Sequence, residues 1–131
     1  MALLLDTHIW LWGLLDPDRL SSGVHQALTG EGVDIRLSSV SIWEALLLAE
    51  RGRITLEPNP LSWLQEATSI TPVREAPVTF EVALASRVIS LPHQDPADRF
   101  IAASAKVFDL TLVTADSRLM QCPDIEVLPN R

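Results

Sequence analysis

Leu3-Leu4-Leu5-Asp6-Thr7-His8-Ile9-Trp10-Leu11-Trp12-Gly13-Leu14-Leu15 joins two apolar runs through one carboxylate. The first run is too short for periodicity to decide. Bounded by an acid and a helical stretch, it reads as a buried strand. The second reads as a short helix over Ile9–Leu15, stopped by Asp16-Pro17-Asp18. The same grammar returns near the other end of the chain. Leu110–Thr114 reads as a strand that runs into Ala115-Asp116, and Asp116 to Met120 as a short helical turn.

Between these ends the alternation continues. Ser21-Ser22 caps a helix over Gly23–Leu28. Ile35–Leu37 is a strand candidate. Ser38-Ser39 or Ser41 then caps a strongly apolar helix, Ile42–Arg51, which Gly52 ends. Pro60 to Thr68 reads as a short helix, and Ile70 to Val73 as an extended piece. Thr79 caps a helix over Phe80–Ser90, with Val82, Leu84, Ala85, Val88 and Ile89 as its apolar stripe. Leu91 to Pro96 is a loop, Ala97–Phe108 a helix and Ile125–Leu128 a last strand. Strands alternating with helices imply a parallel α/β sheet covered on both faces. In such sheets ligands bind beyond the carboxyl ends of the strands.

The 131 residues suit one domain, 1–131, with one core. Apolar residues make up 47% and charged residues 21%, which excludes disorder. No apolar run has the roughly 18 residues that span a bilayer. The start lacks the basic stretch and small-residue cleavage site of a signal peptide, so a cytoplasmic chain with no membrane contact is expected. Cys122 is the single cysteine, which excludes an internal disulfide and a multi-thiolate zinc site. The net charge of −7 argues against a plain electrostatic nucleic-acid binder. Nine Arg against one Lys suits bidentate phosphate contacts, although codon bias gives the same imbalance.

Four carboxylates stand out. Asp6 and Asp116 each follow a strand, so both project at one edge of the sheet; an Asp there also caps helices. Glu44 lies in the first turn after the second strand, in a helix so apolar that it should be buried. A buried carboxylate without a partner costs several kcal/mol or shifts its pKa. Asp95 and Asp98 flank Pro96. Asp95 reads as the N-cap, Pro96 as the first helical residue, and Asp98 as the acid left over for a site. Carboxylates crowded into one pocket resist joint ionisation and become stable together around Mg²⁺ or Mn²⁺. Thr7, Ser41 and Thr114 are hydroxyls within reach of a bound water or phosphate; each is also a plain strand-end or capping hydroxyl. Arg99 and Arg118 follow Asp98 and Asp116, for phosphate contact or for surface ion pairs. His93 sits in the loop beside Asp95 as a substrate contact or a solvated loop residue. Trp10, Trp12, Trp43 and Trp63 either stack on bases or fill the core of a chain with three Phe and no Tyr.

Leu-Leu-Leu-Asp-Thr-His at 3–8, Ser-Ser-Val-Ser-Ile-Trp-Glu at 38–44, Gly-Arg-Ile at 52–54, His-Gln-Asp-Pro-Ala-Asp-Arg-Phe-Ile-Ala-Ala at 93–103 and Leu-Val-Thr-Ala-Asp at 112–116 come in a recognisable order. As an ordered set the chain resembles PIN-domain ribonucleases, and within them the VapC-like toxins of type II toxin–antitoxin modules. The resemblance implies a three-layer α/β/α sandwich with a mainly parallel sheet of four or five strands. It also implies a Mg²⁺- or Mn²⁺-dependent endoribonuclease whose products end in 3′-hydroxyl and 5′-phosphate. Asp6, Glu44 and Asp98 fall on that family's core acids and Asp116 on its more variable fourth. A cognate antitoxin and a homodimer or higher assembly are implied as partners, with RNA as substrate. Two departures bear on RNA contacts. Where relatives carry a Lys beyond the motif Glu, this chain has Leu46, Leu47, Leu48 and Ala49, with Arg51 and Arg53 the nearest basic residues. Between the acids of the Asp-Pro-x-Asp motif stands Ala97 in place of a bulky residue.

Three other functions compete. A haloacid-dehalogenase phosphatase needs a second Asp two residues beyond the first, and here that position is His8. A receiver domain needs an acid pair and a late Lys, and the lone Lys106 lies inside a helix. A non-catalytic binding module would dock a partner on the apolar helix around Leu46–Leu48, with the acids serving as caps.

Overall fold

A computed structural model describes residues 1–70 and 73–131; of Ile70 only the backbone is described. Among these residues the order is β1 (Ala2–Leu5), α1 (Thr7–Leu15), α2 (Ser22–Leu28), β2 (Asp34–Ser38), α3 (Ser39–Glu50), α4 (Pro60–Ile70), β3 (Val73–Ala76), α5 (Phe80–Ser86), α6 (Pro96–Val107), β4 (Thr111–Thr114), α7 (Ser117–Met120) and β5 (Val127–Pro129). A 3-10 turn, Pro17–Arg19, links α1 to α2.

The sheet order is β3-β2-β1-β4-β5, and every pairing is parallel. The chain winds outward from β1 through β2 to β3, then crosses back to β4 and β5 on the other side. The order therefore reverses between β1 and β4, which opens a crevice at their carboxyl ends. Asp6 leaves β1 at that point, and its N–H donates to Val113 O of β4 at 2.9 Å.

Alternation along the strands splits the apolar residues between two layers. Leu3, Leu5, Leu37 and Val113 pack with Ile9, Trp10 and Leu11 on one face of the sheet. Leu4, Ala76 and Leu112 pack with Ile101, Ala102 and Leu119 on the other. Burial on both faces explains why β1 shows no polar alternation. Cys122 lies buried in the second layer.

Several boundaries differ from the sequence expectation for local reasons. Ser38, one of the expected caps, accepts the Val40 N–H, so α3 starts at Ser39 rather than Ile42. The expected Ile70–Val73 extended piece lies partly outside the described residues; Ile70 closes α4, and the strand runs on to Ala76. α5 stops at Ser86, short of Ser90, because the Arg99 guanidinium takes the Ser86 carbonyl there. Of its expected stripe, Val82 and Ile89 are buried, but Leu84 and Val88 are exposed. Nor is α3 buried all round: Trp43 is half-exposed and Leu46, Leu47 and Leu48 are only partly covered. Among the described residues no helix is long and apolar enough to cross a membrane.

Candidate active site

Asp6, Glu44, Asp98 and Asp116 come from four separate elements and line one cavity of about 360 Å³, together with Asp95, His8, Trp12, Ala115 and Arg118. Larger, more apolar hollows lie elsewhere, about 470 Å³ beside Leu37 and Val73 and about 500 Å³ beside Leu84 and Val88. Neither gathers a carboxylate cluster.

Two buried hydroxyl contacts hold the crevice together. Thr114 Oγ1 donates to Asp6 Oδ2 at 2.7 Å and accepts the Asp116 N–H at 3.0 Å, so one β4 side chain ties two acids. Thr7 Oγ1 donates to Ser41 Oγ at 2.8 Å, which pins the start of α1 to the first turn of α3. Both partners are fully buried. Thr7, Ser41 and Thr114, expected among possible water or phosphate contacts, are thus buried and engaged within the protein, Thr114 with Asp6 and Asp116 and the other two with each other.

The acids experience different fields. Asp6 is 7% exposed. Burial raises its pKa, against the lowering effect of the Thr114 bond and His8; Glu44 raises it further. Asp98 is pushed up to about 7, first by burial and then by the charges of Asp6, Asp95, Asp116 and Glu44. Burial also acts on Asp116, but its bonds from Arg118 outweigh that, and its carboxyl stays below the ordinary value. Glu44 Oε1 is buried without a hydrogen-bond partner.

Asp95 is the N-cap of α6, accepting the Ala97 and Asp98 N–H groups at 3.0 and 3.4 Å. Asp116 likewise caps α7 through the Arg118 N–H at 2.8 Å while lining the cavity. Arg118 is 53% exposed at the rim; its guanidinium reaches Asp116 at 3.1 Å and Asp98 at 3.7 Å. His93 Nε2 stands 3.7 Å from Asp98, and neither ring nitrogen has a hydrogen-bond partner.

Arg99 corrects the sequence expectation. It neither faces phosphate nor pairs at the surface. It is 5% exposed and donates to four backbone carbonyls, those of Ser86, Ile89, Leu91 and His93. The end of α5 supplies the negative pole of a helix there. Of the proposed phosphate contacts, Arg118 alone lines the cavity.

His8 and Trp12 also line the cavity; Trp12 was one of four tryptophans read as base-stacking or core residues, and His8 carried no site expectation. A signal for them existed: they lie four apart on the helix that Asp6 begins, so they share a face.

The carboxylate donor set suits a hard cation, which takes oxygen ligands and tolerates an incomplete protein shell. Among the described residues no three such side chains already converge as a closed metal site; they line an open cavity.

A PIN-domain family model matches residues 3–124. The chain is 38% identical to Ribonuclease VapC22 of Mycobacterium tuberculosis, covering 90% of this chain and 89% of that protein. The fold is similar to that of VapBC2 from Rickettsia felis, bound to a DNA fragment from their promoter, with TM-score 0.74, 18% identity and 98% of each chain covered. It is also similar to DNA-bound VapBC from Salmonella typhimurium, with TM-score 0.68, 16% identity and coverage of 100% of this chain and 99% of that one. The chain belongs to the PIN-domain family.

Proposed function

We propose that this chain is a metal-dependent endoribonuclease, the toxin of a toxin–antitoxin pair, with Asp6, Glu44, Asp98 and Asp116 as its catalytic and metal-holding residues. The observation that carries the reading is the meeting of four carboxylates, from four elements, in one crevice at the strand-order reversal. The relative named Ribonuclease VapC22 supports it.

The residues fit a divalent cation. Glu44 Oε1 is a buried acceptor without a donor, and Asp98 is pushed up to about 7 by burial and by its neighbours' charge. Both conditions are relieved by positive charge in the cavity. Mg²⁺ or Mn²⁺ held by the four acids would supply charge stabilisation for the scissile phosphate and an activated water. The chain's own residues do the rest. Thr114 fixes the Asp6 carboxylate, so that acid keeps its position when its charge is balanced. Arg118, half-exposed at the rim, offers a guanidinium to a phosphate oxygen. The Thr7–Ser41 bond ties α1, which follows Asp6, to the turn of α3 that leads into Glu44.

The partly exposed apolar surface of α3, from Trp43 to Leu48, fits a protein partner, in this reading an antitoxin or a second protomer. The VapBC structures among the similar folds support the existence of such a partner.

Purified protein freed from partners should cleave RNA with Mg²⁺ or Mn²⁺ and not with EDTA. Asp6→Asn should lower cleavage at least about 100-fold while circular dichroism stays unchanged, since a ligand charge is lost at constant shape. Cleavage without metal, or full activity in Asp6→Asn, overturns the proposal.

A further inference from the structure

Resting on the ribonuclease reading, we propose that His8, Trp12 and Arg19 form a stacking subsite for one base of single-stranded RNA beside the cleaved phosphate. The four tryptophans divide sharply in the structure. Trp10 is buried and packs edge-on against Trp63, with centroids 6.1 Å apart. Trp43 is half-exposed on α3 and lines a separate apolar hollow with Val40, Pro96 and Phe100. Trp12 alone lines the carboxylate cavity.

Its surroundings are built for flat groups. The Arg19 guanidinium lies 4.0 Å from the Trp12 ring centroid. The exposed His8 ring sits 5.9 Å from it at 53°, a tilted ring contact that extends the aromatic surface along the same helix face. Arg19 is exposed, yet its backbone is fixed. Its N–H donates to Asp16 O at 3.1 Å, and its carbonyl accepts from Asn130 Nδ2 at 3.0 Å. Asn130 Oδ1 also takes the Ser21 N–H at 2.7 Å, which locks the turn to the carboxyl end of the chain. Aromatic rings and guanidinium planes are the surfaces on which splayed RNA bases stack.

Electrostatics points the same way. Five acids line the cavity against one guanidinium, and the whole chain carries −7. Phosphate contacts therefore contribute little RNA affinity outside the immediate site. Stacking carries no net charge, so it can hold an RNA strand against an acidic surface. It also requires an unpaired base, which selects single-stranded segments.

A double-mutant cycle between protein and RNA tests this. Fluorescence anisotropy would follow a labelled hexameric oligoadenylate and six versions with one abasic residue each. Ca²⁺ would replace Mg²⁺ so that binding is read without turnover. For wild type, one abasic position should weaken binding roughly 5- to 150-fold. Trp12→Leu and His8→Ala should each weaken the intact hexamer, and the abasic change at that position should then cost little more. His8 is exposed, so His8→Ala keeps the test valid even where Trp12→Leu folds poorly. Normal binding of the intact hexamer by His8→Ala and by any folded Trp12→Leu, penalties that multiply independently at every position, or no binding by wild type overturns the subsite. Wild type that binds with the expected coupling but does not cleave in Mg²⁺ or Mn²⁺ overturns the nuclease reading and leaves the subsite standing.

Discussion

Asp98 carries an electrostatic conflict in the cavity, because it is buried among four other carboxylates. Its folded value, about 7, lies above the ordinary 3.8, so the folded chain holds this proton more tightly than the unfolded one. The resulting stability is complete below the unfolded value and is lost as pH rises through the folded one. Cation-free protein should therefore melt at lower temperature as pH rises from about 5 to about 8. Asp98→Asn should flatten that slope in a calorimetric series; an unchanged slope would show that another group controls it. Arg99 is a different kind of residue, a buried cation dissolved in carbonyls. Arg99→Ala strands those acceptors and should cost about 3 kcal/mol or more in urea denaturation. Arg99→Lys should recover only part, since an ammonium has three donors and no fork. The capping role of Asp95 was legible from the sequence, because Asp-Pro-x-Asp specifies local hydrogen bonds. The role of Arg99 was not, because its acceptors lie six to thirteen residues away in a loop whose path is tertiary.

At the level of elements, helix ends obeyed local chemistry. α3 finishes with Gly52 at φ +70°, where Arg53 N–H donates to Leu48 O and Gly52 N–H to Ala49 O. α6 ends in the same way, with Leu110 N–H on Ala105 O, but Asp109 holds the left-handed position at φ +54°. The two sites make opposite predictions. Gly52→Ala should destabilise by about 1 kcal/mol, and Asp109→Gly should stabilise by up to about 1 kcal/mol, both read from denaturant midpoints. Space is not the issue at Gly52, since a Cβ there meets nothing within 4 Å. Which face of a helix is covered proved harder to read. The apolar spacing of α5 was visible, yet Phe80 is 90% exposed and Leu84 and Val88 are exposed with it, while Val82 and Ile89 are buried. Periodicity identifies an apolar face without saying whether this chain supplies its cover.

The molecule as a whole stores like charge at one crevice, so its stability should depend on the ion that fills it. In the proposed nuclease, Mg²⁺ or Mn²⁺ at 100 times its Kd should add about 2.7 kcal/mol. For a chain of this size that is on the order of 10 °C in melting temperature. It should be absent in Asp6→Asn, and equal shifts in both proteins would assign the effect to surface binding. By itself the sequence determined the alternation of strands and helices, the caps, and the identity of the acids that follow strands. These features are encoded within a few residues, where spacing and capping chemistry act directly. The parallel pairing followed from that alternation, but tertiary structure alone decided the strand order β3-β2-β1-β4-β5 and its reversal between β1 and β4. It decided that Glu44 sits half-buried with an unpartnered oxygen rather than inside a fully covered helix. It also decided which hydroxyls are spent on holding the acids. Asp6 and Asp98 are legible one by one in the chain, but their pKa values rise only in the fold, through burial first and neighbouring acids second, where residues up to 110 positions apart line one cavity.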